Sequence, residues 1–215
     1  MSRWNKLVAT TEDRQQEKRE ILIRQAGAAF GRNGFYSTTL EDVAKSIGIT
    51  KAAIYYYFKN KNEILFECHK LAIRIASRAI EEAESEGGNG YEKLTLTVRN
   101  YIVGLTSELN FSILVDVSAL MPEERAYVVR FRDRFEAKMR QFVEEGLADG
   151  SVAPCDPKFA IFAIMGAVSW VPSWYSPEGE LSGEEVADAL IGFLSTGLKP
   201  RLDRPDGAPH PGMAT

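Results

Sequence analysis

Between Thr39 and Asn60 the chain carries three helix starts in close succession. Thr39 is followed three residues later by Asp42, the spacing at which an N-cap hydroxyl and a carboxylate satisfy each other's backbone N–H groups. Thr50 is placed to cap the next segment, and Asn60, with Glu63 three residues on, starts a third. Leu40, Val43, Ala44 and Ile47 form the apolar stripe of a short first helix, and Gly48 supplies the positive φ that ends it. The second helix runs from Lys51 to Phe58. Two short helices joined by a tight glycine turn form a helix-turn-helix, whose second helix enters the major groove of DNA.

That second helix contains "IYYYF", Ile54 to Phe58. Five consecutive large residues cannot all face inward, because successive side chains step round the axis by about 100°. Ile54 and Phe58 share one face and are expected to anchor the core. Ala52, Ala53 and Tyr56 lie opposite, with Tyr55 and Tyr57 on the flanks. Alanines permit close approach and can touch a thymine methyl. Lys51 is placed to reach a guanine edge or a phosphate, and tyrosine hydroxyls can donate to phosphates. Lys61, in the first turn of the next helix, opposes the helix dipole, an arrangement that a docked phosphate would reconcile.

Charge is distributed to match. Residues 1–61 hold 11 Lys/Arg against 6 Asp/Glu, a balance of +5, and residues 62–215 hold 15 against 24, a balance of −9. A basic amino-terminal part on an acidic body points to a polyanionic partner for the first part alone. The expected division is a flexible basic arm over residues 1–16, a DNA-binding unit over 17–61, a helical body over 62–199 and a disordered tail over 200–215. Arg3, Lys6 and Arg14 are candidates to enter a minor groove.

The rest of the pattern is all-α. Helices are expected at about Glu17–Asn33, Asn60–Ser85, Tyr91–Leu109, Phe111–Leu120, Pro122–Leu147, Pro157–Tyr175 and Gly183–Leu198, with Asp156 and Ser182 as caps and Pro172 kinking the helix that holds it. Apolar residues surround much of Phe159–Trp174, so this helix is expected to be buried on several sides. No long uncharged apolar run suggests a membrane span, and the amino terminus lacks the apolar stretch of a signal peptide, which places the chain in the cytoplasm. Cys68 and Cys155 lack ligand spacing and are expected as buried free thiols. His69 and His210 stand far apart, and no metal, cofactor or catalytic motif is present.

"GFYSTTLEDVAKSIGITKAAIYYYFKNKNEIL" resembles the DNA-binding domain of the TetR family of transcriptional repressors. The matching residues are Thr38, Thr39, Val43, Ala44, Gly48, Ile49, Thr50, Lys51, Tyr55, Phe58 and Lys61. The resemblance implies a dimer bound to a palindromic double-stranded operator. It assigns phosphate contacts to Thr39, Thr50, Tyr55, Tyr56 and Lys61, and base contacts to Lys51, Ala52 and Ala53. It also implies a helical body that binds an inducer and dimerises through the helices at about 157–175 and 183–198. "WVPSWYSPEGELSGEEV" resembles a TetR subgroup with a W-Y-x-P-x-G-x-L-S/T ending, some of whose members respond to acyl-CoA thioesters. Phe66, Tyr101, Phe111, Phe131, Trp170 and Trp174 are candidates to line such a pocket, and Arg130 and Arg134, on one helix face, to pair with its phosphates or carboxylate. The alternatives are an activator or constitutive repressor without a ligand, and a helical enzyme or lipid carrier.

Overall fold

The structure is a computed structural model, which describes the backbone of residues 11–109 and 117–198 and the side chains from Gln15 onward. Among the described residues there are eight α-helices and no strand: α1 Thr11–Asn33, α2 Leu40–Ser46, α3 Lys51–Tyr57, α4 Lys61–Glu86, α5 Gly90–Gly104, α6 Pro122–Asp149, α7 Pro157–Trp174 and α8 Gly183–Leu198. The expected caps are present. Thr39 and Asp42 form a reciprocal box, Thr50 accepts from the Ala53 N–H, and Asn60 from the Glu63 N–H. Asp156 caps α7, and Ser182 and Glu185 bond reciprocally at the start of α8.

The amino-terminal unit packs α1, α2 and α3 against the first turns of α4. Leu22, Ala26 and Phe30 from α1 meet Leu40, Val43 and Ala44 from α2, Ile54 and Phe58 from the recognition segment, and Ile64, Leu65 and Cys68 from α4. The body continues that core through Ile75 of α4, Val98 and Ile102 of α5, Phe135 and Phe142 of α6, and Ile164 and Val168 of α7. α4 thus belongs to both cores.

Glycine sets the closest helix crossings. A Cβ on Gly90 would lie 2.1 Å from the backbone N of Gly146, so α5 begins in direct backbone contact with α6. A Cβ on Gly104 would lie 2.3 Å from Cγ2 of Ile75, which brings α5 equally close to α4.

Several boundaries differ from the sequence reading. α1 starts at Thr11, so Thr11–Gln16 are helical rather than part of a flexible arm. This segment carries acidic residues at the first-turn positions, favourable to the dipole, and Gln16 donates to Glu20 one turn on at 2.9 Å. Arg3, Lys6, the Arg14 side chain, the tail from 200 and His210 lie outside the described residues, as does most of the helix expected over Phe111–Leu120. Its last residues, Val117–Ala119, form a 3₁₀ turn. The helix expected to reach Leu109 widens into a π turn over Leu105–Leu109. There the Thr106 hydroxyl donates to the carbonyls of Ile102 and Val103, and the Ser107 hydroxyl to that of Val103, competing with the regular ladder. Pro172 falls in the last turn of α7, which continues to Trp174. Cys68 is buried and free, but Cys155 is free and exposed, because the α6–α7 connection that carries it runs over the surface.

Replacing Gly90 by alanine forces a methyl group into the Gly146 backbone, which has no rotamer to escape with. Gly90→Ala is expected to lower unfolding stability by about 1–3 kcal/mol, measured as a shift in the urea midpoint.

Candidate nucleic-acid interface and ligand cavity

The turn into α3 is built by Gly48, at φ 69°, and by an N–H donated from Ile49 to the Ala44 carbonyl at 3.0 Å. With Ile54 and Phe58 sealed in the core, the helix has no freedom to rotate. Its opposite side is therefore bare: Lys51 and Ala52 are exposed, and Tyr56 and Tyr55 are 68% and 51% exposed. Ala53 and Tyr57 are half-buried at the edges. Tyr56 is not loose. Its ring stands edge-to-face on Tyr57 with centroids 4.9 Å apart, and its hydroxyl accepts from Gln15 Nε2 at 3.1 Å. The hydroxyl hydrogen stays available to a phosphate oxygen. Thr50 also keeps its hydroxyl hydrogen, since it caps α3 as an acceptor.

Thr39 and Lys61 are more committed than the sequence suggests. The Thr39 hydroxyl donates to Asp42 Oδ2 at 2.6 Å, and this bond and the Thr39 N–H hold the Asp42 carboxyl below its ordinary pKa. Lys61 Nζ donates to the carbonyls of Phe35 at 2.6 Å and Thr38 at 3.0 Å, and lies 4.2 Å over the Phe35 ring. Its ammonium is thus already partnered, correcting the picture of a bare charge at the helix start. Partial burial draws its pKa below the usual lysine value. Tyr36, 70% exposed beside Phe35, is a surface tyrosine of the same unit that helical periodicity overlooks because it sits in a loop.

Behind α3 lies an ion cluster. Arg19 Nη2 meets Glu67 Oε1 at 2.6 Å, Lys70 Nζ meets the same oxygen at 2.8 Å, and the Arg19 guanidinium stands 4.8 Å over the Phe58 ring. Burial alone would raise the Glu67 pKa, but the bonds from Arg19 and Lys70 outweigh it and hold the carboxylate ionised. Further along, the Asn62 side chain donates to the Ala119 carbonyl, tying the start of α4 to the body.

Within the body, a cavity of about 250 Å³ opens between α4, α5, α6 and α7. Tyr101, Phe131 and Phe135 form one wall, Ile161, Phe162 and Met165 another, with Ala76, Arg132, Glu136 and Ser169 completing it. Of the aromatic candidates, Tyr101 and Phe131 are brought here. Phe66 packs edge-to-face on Tyr127 instead, and Phe111 lies outside the described residues. Arg130 and Arg134 point to solvent. The phase of α6 buries Val128 and Phe135, and puts Arg132, between them, at the cavity. Trp170 and Trp174 face outward. A larger hollow of about 510 Å³, beside the α4–α5 turn and α8, is open and edged by Glu86, Glu92, an Arg99–Asp188 pair, Leu96 and Ile191.

His69 is 3% exposed and lies on α4 two turns before Ala76, and its Nε2 has no hydrogen-bond partner. Burial, and then the charge of Arg132, push its pKa down to about 4. The surface of α7 and α8 shows the opposite: Phe159, Phe162, Trp170, Trp174 and Phe193 are bare, Trp170 at 62% and Phe193 at 77%. α7 buries only its Ile161, Ile164, Val168 and Val171 face, so the burial expected on several sides is not met within the chain. Gly166, Gly192 and Gly197 leave open space beside their backbones. Among the described residues no group of His, Cys, Asp and Glu could hold a metal, and no helix is long and apolar enough to cross a membrane.

Comparison with known proteins gives a consistent result. Residues 22–68 match the model of bacterial regulatory proteins of the tetR family. Residues 87–198, more than half the chain, match that of the tetracyclin repressor-like C-terminal domain. The HTH-type transcriptional repressor KstR2 of Mycolicibacterium smegmatis is 24% identical over 192 residues, 87% of this chain and 94% of that protein. The crystal structure of the TetR family regulator PfmR from Thermus thermophilus superposes with a TM-score of 0.71 at 28% identity, covering 85% of this chain and 99% of PfmR. AibR, solved in complex with isovaleryl coenzyme A and operator DNA, shares the fold at 23% identity and a TM-score of 0.68, with 82% and 97% covered. These relatives belong to a family of transcriptional regulators, not enzymes.

The buried neutral His69 has a consequence for acid stability. Between its ordinary pKa of 6.5 and its folded value of about 4, the unfolded chain takes up a proton that the folded chain refuses. Stability therefore falls as pH drops through that window. From pH 7.5 to pH 5 this one group is expected to remove about 2 kcal/mol. Urea melts at the two pH values should show that loss in the parent, and a loss smaller by this amount in His69→Gln.

Proposed function

The chain belongs to the TetR family of bacterial regulatory proteins, and on that premise we propose that it is a dimeric repressor that a small acyl compound, an apolar acid or its CoA thioester, releases from a palindromic operator. The observation that carries this reading is the geometry of α3. Ile54 and Phe58 lock it from behind, while Lys51, Ala52, Tyr55 and Tyr56 stand clear in front. In the bound state Lys51, Ala52 and Ala53 face base edges. Tyr55, Tyr56 and Thr50 donate to phosphates. Thr39 and Lys61 contribute mainly by holding α2 and α4 in register, with Lys61 near enough to the helix start to share its charge with a phosphate.

The bare aromatic face of α7 and α8 supports dimerisation through these two helices, as a four-helix arrangement about a two-fold axis. Two recognition helices must then match successive major grooves, roughly 34–36 Å apart. The cavity supports ligand response over a constitutive repressor, since a body without one would offer an inducer no place. The acyl class rests on the Trp174, Tyr175, Pro177, Gly179, Leu181 and Ser182 ending, and on AibR, a protein of the same fold bound to isovaleryl coenzyme A. α4 is the link, because it starts beside α3 and forms part of the cavity wall.

An operator recovered by selection from genomic DNA tests the first half. In fluorescence anisotropy at physiological salt, Lys51→Ala is expected to weaken binding about tenfold or more, at 1–3 kcal/mol for a lost base contact. Tyr56→Ala should weaken it several-fold, both with unchanged thermal unfolding. Unaltered affinity in both variants would falsify the docking geometry. For the dimer, Trp170→Glu combined with Phe193→Asp should yield a folded monomer by light scattering that no longer holds the operator.

A further inference from the structure

We propose that Gln15, in the second turn of α1, is a positioning residue for operator binding: its amide N–H, donated to the Tyr56 hydroxyl oxygen, turns the hydroxyl hydrogen out of the protein and onto a DNA phosphate. This deepens the DNA-docking reading and rests on it. Gln15 Nε2 lies 3.1 Å from the Tyr56 oxygen, although the two residues are 41 positions apart in the chain. The pairing follows from how α1 lies on the recognition segment. Gln15 and Arg19 are one turn apart and share a face of α1. Arg19 stands 4.8 Å over the Phe58 ring and meets Glu67 of α4 at 2.6 Å. That anchor holds the α1 stripe along the end of α3, and one turn earlier the stripe delivers Gln15 to Tyr56. Gln16, one step round the helix, bonds instead to Glu20. The Tyr56 ring is held independently, edge-to-face on Tyr57 with planes at 87°, and Tyr57 packs against the core. Ring and hydroxyl are thus both set on a side chain that remains exposed.

The direction of the bond decides what the tyrosine can offer. A tyrosine hydroxyl has one hydrogen to give and lone pairs with which to accept. A phosphodiester oxygen accepts and has no hydrogen to return. Tyr56 can therefore bond a phosphate only if its hydrogen is not spent inside the protein. A glutamine suits the inner position because its NH2 group donates. The same amide turned over would present Oε1 and take the hydrogen, so a bound phosphate selects the donating orientation. The result is a relay: Gln15 N–H to the Tyr56 oxygen, then Tyr56 O–H to the phosphate. Each bond polarises the next, and the last ends on an anion, the stronger kind. A glutamate at position 15 would break the relay, because a carboxylate accepts only and would compete with the phosphate for one hydrogen. Preorganisation works in the same direction. A side chain already held in its docking geometry loses less freedom on binding. The start of α1 at Thr11 is what extends the helix far enough to carry Gln15.

A double-mutant cycle on the full chain tests the relay, read by fluorescence anisotropy on the selected operator at physiological salt. Gln15→Met keeps the length and helix propensity of the side chain and removes the donor. Tyr56→Phe is expected to weaken binding about fivefold, and Gln15→Met about threefold. In the Tyr56→Phe background, Gln15→Met should cost less than about 1.5-fold, because the hydroxyl it orients is gone. Gln15→Glu should weaken binding about tenfold in the parent, and by a smaller factor with Tyr56→Phe, where its charge acts without the competition for the hydrogen. Thermal unfolding of the free variants should match that of the parent. A Gln15→Met loss of equal size in both backgrounds overturns the proposal, since Gln15 then meets the DNA itself or acts through the fold. Unchanged affinity of Gln15→Met beside a weakened Tyr56→Phe also overturns it, and leaves the docking reading standing. Unchanged affinity of Tyr56→Phe overturns the relay and removes the Tyr56 hydroxyl from the phosphate contacts, while Lys51→Ala still tests the rest of the recognition face.

Discussion

Everything that α3 presents to solvent depends on how Phe58 is seated. It ends the recognition helix, is fully enclosed, and carries the Arg19 guanidinium on its ring. Arg19 is in turn fixed by Glu67 of α4, which Lys70 also holds. A ring, a cation and a buried carboxylate thus bind α1, α3 and α4 at one point. The aromatic face attracts the guanidinium, and the guanidinium and the Lys70 ammonium together hold the carboxylate ionised against the cost of its burial. The outward set of Lys51, Ala52, Tyr55 and Tyr56 is a by-product of this inward anchoring.

The same helix that supplies Glu67 supplies His69 two residues later. Glu67 faces Arg19 of α1 and the DNA-binding unit, while His69 is buried and feels the charge of Arg132 on α6. A small rotation or shift of α4 is felt at both. In the proposed mechanism a ligand need only prefer one setting of α4, because a population shift follows from differential affinity alone. Lys61 and Asn62 make the coupling stiff at the near end. Lys61 hooks the α1–α2 turn through two carbonyls, and Asn62 holds the segment before α6. In the proposed mechanism these ties would carry the helix-turn-helix with α4 as one body.

The local features of this fold are written plainly in the chain, and the long-range ones are not. Caps are chemistry between residues two or three apart, so Thr39 with Asp42, Asn60 with Glu63, and Ser182 with Glu185 are legible without a structure. The inward pair Ile54 and Phe58 is equally local, one helical turn apart. Lys61 shows where this stops. Its charge at a helix start invites an external anion, but its partners are carbonyls of Phe35 and Thr38, more than twenty residues earlier, which the fold brings beneath it. The exposure of Cys155 and the early start of α1 escape a sequence reading for a related reason. Composition says how polar a segment is, not whether a neighbouring element covers it.

The arginines of α6 make the point sharpest. Arg130 and Arg134 are a turn apart and share a face, so spacing favours them as a pair. Yet the helix is phased by its buried residues, Val128, Phe135, Met139 and Phe142, and that phase turns Arg130 and Arg134 to water. Arg132 remains on the flank beside the cavity. An apolar stripe known only approximately leaves an uncertainty of one residue step, about 100° of arc, which is enough to exchange an arginine turned to water for one at the cavity. Aromatic candidates suffer less, since Tyr101 and Phe131 are drawn inward by burial itself. Trp170 and Trp174 are the counterexample: both are apolar, and both face outward, on the surface proposed for the dimer contact. Hydrophobicity marks a side chain for exclusion from water, but only the assembled helices determine whether its own core or a partner does the excluding.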